Sequence, residues 1–230
     1  TSSPPQPADQ SMPAIARLPY PWRLLALLPA LALLSGCASL VGTPPTEPAS
    51  EAQLAAWETH QREIESVTDW AFDGRAAVRS GVTGGSVQLE WTQVGTVTSL
   101  VVSGPFDTGR LAMTGTPDQM LLTDGSGNRR VTNRPAALLE EQTGWHIPMS
   151  LLPRWVRGLP SESLETLDEG EFRLDDRGRL LTLSERGWDI EYDRYREVGG
   201  YSLPHFVELQ HDGMRIRMAI DSWDVGRPRQ

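Results

Sequence analysis

The chain has 230 residues, 21 basic and 30 acidic side chains, and a formal net charge of -9, which argues against a nucleic-acid partner and against electrostatic docking on anionic lipid. Every basic residue is arginine, as coding bias in a GC-rich genome produces, so a Walker-type P-loop, a lysine Schiff base and a Ser-Lys dyad are excluded. The one cysteine, Cys37, permits no disulfide and leaves no second thiol for catalysis.

In chain order, residues 1–10 precede Met12 and read as an upstream extension. Arg17 and Arg23 come before the apolar run 24–34, which ends in Leu34-Ser35-Gly36-Cys37. A basic n-region, a short apolar h-region and small residues before a cysteine describe an export signal, not a membrane span. The cysteine makes it a lipoprotein signal: its thiol can take a diacylglycerol thioether, and the amine freed by cleavage can take a further acyl chain. Two or more chains anchor stably, since each buried methylene contributes roughly 0.8 kcal/mol. Residues 1–36 hold Asp9, Arg17 and Arg23, so their removal takes away a net +1 and leaves -10 on the mature part.

Residues 37–50, with Gly42, Pro44, Pro45 and Pro48, read as the lipidated cysteine and a flexible tether. The domain then spans 51–225, with a tail at 226–230. Leu54, Trp57, Ile64 and Val67 fall on helical spacing behind Ser50 as N-cap, with Glu51 and Gln53 in the first turn, which predicts a helix over 51–67.

From Trp70 the period changes to two. Trp70, Phe72, Ala76 and Val78 alternate with more polar neighbours, as do Val87, Leu89 and Trp91. Further strands are predicted at 97–103, 109–115 and 119–124, separated by Gly84-Gly85, Gly95, Gly104-Pro105, Thr116-Pro117 and Asp124-Gly125. Pro135 at N1 and Gly144 as C-cap bracket a helix over 136–142, and a second short helix is predicted over 150–157. Strands resume at 171–174, 180–184, 188–195, 205–211 and 214–223. About eleven antiparallel strands make a long twisted sheet, mainly β with inserted helices, that tends to curl into a barrel; if it stays open, the two helices can plug its concave side.

At this point the chain resembles a family, the outer-membrane lipoprotein receptor LolB. The resemblance rests on Trp70-Ala71-Phe72-Asp73-Gly74-Arg75-Ala76-Ala77-Val78, Val102-Ser103-Gly104-Pro105-Phe106-Asp107-Thr108-Gly109, Gly144-Trp145-His146-Ile147-Pro148, Trp155-Val156-Arg157-Gly158-Leu159-Pro160 and Trp188-Asp189-Ile190-Glu191-Tyr192, in conserved order across 57–223. The Trp-x-x-Gly-Leu-Pro run together with the lipobox is its most specific part. The resemblance implies a half-open antiparallel β-barrel with a helical lid over an apolar cavity, in a monomer lipid-anchored on the periplasmic face of the outer membrane. It would accept acylated lipoproteins from the periplasmic carrier LolA and release them into outer-membrane lipid, without enzymatic turnover, cofactor or metal. It also implies that the loop after the third strand touches the membrane through Phe106, where leucine is the more usual residue. Ala38 after the acylated cysteine is consistent with export, because an aspartate there retains many Gram-negative lipoproteins in the inner membrane.

Lipid carriage suits the composition. A triacylated protein has on the order of 45 methylenes, so bare diffusion through water would expose roughly 35 kcal/mol of apolar cost at 0.8 per group. A shielding site must be concave, apolar and poor in specific hydrogen bonds. Trp145, Trp155, Leu151 and Leu152, on or beside the predicted helices, are the candidate cavity-lining residues, whereas Trp70, Trp91, Trp188 and Trp223 follow strand alternation into the core.

Other chemistry is poorly supported. His60, His146, His205 and His211 are far apart in sequence and read as satisfied surface or rim side chains, not a metal site. Asp168-Glu169 and Asp175-Asp176 read as solvated turn charges, the run from Ser80 as a hairpin connection and Gly125-Ser126-Gly127 as a turn. The alternative function is a lipid-anchored scaffolding protein of envelope assembly that binds protein partners.

Overall fold

The computed structural model describes residues 48–105, 109–168 and 170–226, the side chains of Gln142 and Thr143 excepted. Cys37 and Phe106 therefore lie outside the described residues, as does Glu169. Helix α1 spans Glu51–Glu65 and begins with a capping box: Gln53 N–H donates to Ser50 Oγ, and the Ser50 backbone N–H donates to Gln53 Oε1 at 2.9 Å. It stops two residues short of the predicted end, at Ser66, whose N–H returns to the Arg62 carbonyl at 3.1 Å, while Val67 N–H donates to the Ile64 carbonyl at 3.2 Å.

The strands follow as β1 (Asp69–Ser80), β2 (Thr83–Val94), β3 (Val97–Ser103), β4 (Leu111–Thr116), β5 (Gln119–Asp124) and β6 (Arg129–Thr132). Two helices interrupt them, α2 (Pro135–Thr143) and α3 (Leu152–Trp155). Then come β7 (Phe172–Leu174), β8 (Leu180–Glu185), β9 (Trp188–Asp193), β10 (Arg196–Val198), β11 (Tyr201–Leu203), β12 (Phe206–His211) and β13 (Met214–Val225). Pro135 sits in the first turn of α2, and Gly144 ends it in the left-handed region at φ 74°, where a Cβ would be strained. The second helix is shorter than predicted: Pro153 fits only a first turn, and Gly158 at φ 78° turns the chain away.

Eleven strands form one antiparallel sheet in the order β6-β5-β4-β3-β2-β1-β13-β12-β9-β8-β7, and β10-β11 make a separate hairpin. The two edges, β6 and β7, do not pair, so the sheet is a half-open barrel. Alternation sets its concave face: β1 reads Trp70, Phe72, Ala76 and Val78 inward with Arg75, Ala77 and Arg79 outward. The predicted strand 188–195 ends at Asp193 because Arg194 adopts φ 55°, which swings the chain into the β10–β11 hairpin.

Helix α1 packs against the far edge of the sheet. Gln53 Nε2 donates to the Leu174 carbonyl at 3.0 Å. Gly178, in the β7–β8 turn, lies so close to the α1 backbone that a Cβ would stand 2.2 Å from Trp57 N, which explains a glycine there. The α3 region closes the other side. Arg157 Nη1 donates to the Ile64 and Val67 carbonyls at 3.2 and 2.8 Å, its guanidinium lies over the Trp70 ring, and Arg154 pairs with Glu65 at 2.8 Å.

Candidate functional site

Cross-strand register carries one apolar swath over the concave face of six strands. Leu209 of β12 opposes Ile216 of β13, and Ile216 and Met218 oppose Val78 and Ala76 of β1. Ala76 then faces Val87 of β2, Leu89 faces Val102 of β3, and Val102 faces Leu111 of β4. Trp91, Leu100 and Met113 form a parallel row one step deeper. Directly opposed side chains are close enough to pack, so the swath is a continuous apolar floor.

Above this floor is a hollow of about 400 Å³, within the size range of pockets that bury small ligands. Its roof comes from α2 and the segment after it: Leu139, Trp145, Ile147, Met149 and Leu152. The polar part of its wall is confined to one end, where Arg110 and Asp124 stand with Gly104, Gly109 and Gly125. Asp124 is held there by N–H groups of Ser126 and Asn128 at 2.9 and 3.0 Å and by Asn128 Nδ2 at 2.9 Å. These bonds, above all those from Asn128, keep its carboxyl below the usual carboxylate range.

The four candidate lining residues separate. Trp145 and Leu152 belong to the hollow's wall. Trp155 does not: it is fully buried in filled core, its indole N–H donates to the Glu185 carboxylate and its ring lies 5.9 Å from that of Trp188. Leu151 is half-buried against the core outside the wall. Sequence spacing put all four near the helices without showing which side of the short α3 turn faces space. The floor residues were legible as inward strand positions but not as the lining of a void, since alternation reads the same over a void and over packed core.

The filled region is organised by a buried carboxylate that sequence reading missed. Glu185 is 5% exposed and also accepts from Ser161 N–H and Ser161 Oγ, each at 2.8 Å. It thus ties the Trp-x-x-Gly-Leu-Pro run to β8, because an unpaired buried carboxylate would be costly.

The histidine expectation needs correction. His60 and His205 are buried, not at the surface or rim, and Nε2 of each has no hydrogen-bond partner among the described residues. Burial, with repulsion from Arg179, pushes His60 down to about 4. His205 Nδ1 faces the Ile220 carbonyl at 2.8 Å, His211 stacks on Trp188, and exposed His146 meets Glu140 at 3.1 Å. No group of three potential metal ligands occurs among the described residues. Asp175 is likewise more than a solvated turn charge: Arg179 Nε donates to it at 2.7 Å while stacking 4.7 Å from the Tyr195 ring.

A family model for the outer membrane lipoprotein LolB matches residues 68–223. The outer-membrane lipoprotein LolB of Pseudomonas aeruginosa (strain LESB58) is 36% identical over 208 residues, covering 90% of this chain and 97% of that one. The outer-membrane lipoprotein LolB of Halorhodospira halophila (strain DSM 244 / SL1) is 36% identical over 201 residues, covering 87% and 94%. Among solved structures, a LolA superfamily protein from Nitrosomonas europaea aligns with TM-score 0.46 at 9% identity, covering 79% of this chain and 96% of that chain. The chain belongs to the LolB family of outer-membrane lipoproteins.

Proposed function

We propose that the protein is a lipid-anchored receptor on the periplasmic face of the outer membrane, which takes acylated lipoproteins from the carrier LolA and passes them to the bilayer. The carrying observation is the hollow, whose floor and roof are aliphatic, aromatic or thioether side chains and whose charged groups lie at one end. Acyl chains offer no polar handle, so such a wall holds them by burial alone. Arg110 and Asp124 then face the ester end of the cargo. Transfer without nucleotide runs downhill, each holder binding more tightly than the one before.

In this reading residues 1–36 are removed, Cys37 carries the lipid, residues 37–50 tether the domain, and Phe106 touches the membrane. Depletion tests the whole: acylated lipoproteins should accumulate in the periplasm bound to LolA. Normal lipoprotein sorting in depleted cells would reject the reading and favour an envelope scaffold. Phe106→Glu tests the last step, because a charge placed in the interfacial layer should leave cargo receipt intact and stop delivery to liposomes.

A further inference from the structure

The convex face of β1 and β13 carries an arrangement that sheet pairing alone does not favour. Arg79 stands directly across from Arg215, and like charges in that position oppose pairing. Arg217 follows on the same face two residues along β13. One carboxylate serves this cluster: Glu208 of β12 is 3.0 Å from Arg215 Nε and 2.7 Å from Arg217 Nε. Arg79 has no ion-pair partner among the described residues. Two acids share a surface depression with it, Asp189, which accepts from Ser184 Oγ at 2.7 Å, and Asp212, 3.5 Å from His211, but neither lines the trough on the β2 side of the arginines.

Next to the arginines the side chains on this face are small or absent, with Ala77 across from Ser86 and Gly84 beyond them. Arg79 faces Gly84 on β2, and Val78 faces Gly85. Pairing of β2 with β3 begins only at Gln88, so the backbone before it is an open edge. The three arginines, Gly84 and Gly85 line one shallow trough, and Val82 at the hairpin tip is fully exposed.

We propose that this hairpin is a membrane contact selective for anionic phospholipid, with lipid phosphates in the trough against Arg79 and Arg215 and Val82 in the interfacial layer. Charge complementarity names the occupant. Three arginines and no carboxylate line the trough on a chain of net charge -9, and an anion seated there relieves the Arg79/Arg215 repulsion that the fold retains. This corrects the expectation from net charge alone, which averages over the surface. The connections after β1, β3, β5 and β12 leave the sheet at one end, so the hairpin projects on the same side as the β3–β4 connection. The inference does not depend on the hollow.

The test uses the chain from residue 37 with Cys37→Ala, co-sedimented with phosphatidylethanolamine vesicles with and without phosphatidylglycerol. Binding should require phosphatidylglycerol, weaken with salt, and fall about fivefold for each of Arg79→Gln and Arg215→Gln. Val82→Asp should weaken it further, and all three variants should keep uptake of a fluorescent fatty acid. Equal binding of the parent and the double arginine variant, or indifference to lipid charge, overturns the proposal. Displacement by free inorganic phosphate without any vesicle retention overturns it too, by assigning the trough to soluble anions. Failed fatty-acid uptake in the parent with vesicle binding intact would instead strike the receptor reading alone.

Discussion

The concave face has two halves built from the same alternating strands, and they end differently. Over β1 to β4 the inward side chains leave a hollow under Leu139, Trp145 and Met149. Over β8, β9 and the first residues of β12 the space is filled: Trp155, Val156, Leu159, Leu180, Leu183 and Val207 have no exposed surface. The difference lies in what stands over the sheet. The filled half is closed by α1 and the α3 turn, clamped by Arg154, Arg157 and the Glu185 carboxylate. The roof of the hollow is built from the apolar side chains of Leu139, Trp145, Ile147 and Met149, and the Arg130–Glu141 pair on α2 is exposed and 3.5 Å long, of a kind that contributes little. One half is thus a filled frame, and the other keeps room for a guest.

The largest effect expected from breaking this contrast is Trp155→Ala, which opens a cavity in the frame and strips a donor from Glu185. It should cost about 3–5 kcal/mol in chemical denaturation. Trp145→Ala, in a half-buried roof residue, should cost much less and act on fatty-acid uptake instead.

Acid should loosen the frame next. His60 is neutral when folded, with its value pushed down to about 4, and titrates near 6.5 when unfolded. Between those values the unfolded chain binds the extra proton, so stability falls as pH drops from about 6.5 toward 4, by up to ~3 kcal/mol. His60→Leu should flatten that part of the stability curve, while wild-type and variant curves that remain parallel would remove His60 from the account.

Overpacking sharpens the comparison further. Val156→Phe forces bulk into filled core and should cost ~1–3 kcal/mol. Val102→Phe puts the same bulk into the hollow, where stability should change by under ~1 kcal/mol and fatty-acid uptake should be lost.

Much of the sheet was legible in the chain because a half-buried strand writes its burial as a period of two, as β1 and β9 do. Ser50 and Gly144 marked helix ends for equally local reasons. Strand β6 was missed because Arg129, Arg130 and Val131 are all exposed at the sheet edge and no alternation results. The first residues of β2 were missed because Gly84, Gly85 and Ser86 supply no apolar side to read. The site was legible only as a class of residue. Whether inward side chains meet a filler or a void depends on α2 and α3, whose placement is tertiary, and so Trp155 and Trp145 looked alike in sequence. The buried role of Glu185, next to a turn and among polar neighbours, had no local signal.

The central claim is that the hollow between the β1–β4 floor and the α2 roof accepts an alkyl chain. Its most direct measurement is titration of the Cys37→Ala chain with a fluorescent fatty acid, in parallel with Val102→Phe and Val156→Phe. Saturable uptake that Val102→Phe abolishes and Val156→Phe retains is the predicted result. Absence of uptake, or uptake indifferent to Val102→Phe, would contradict it.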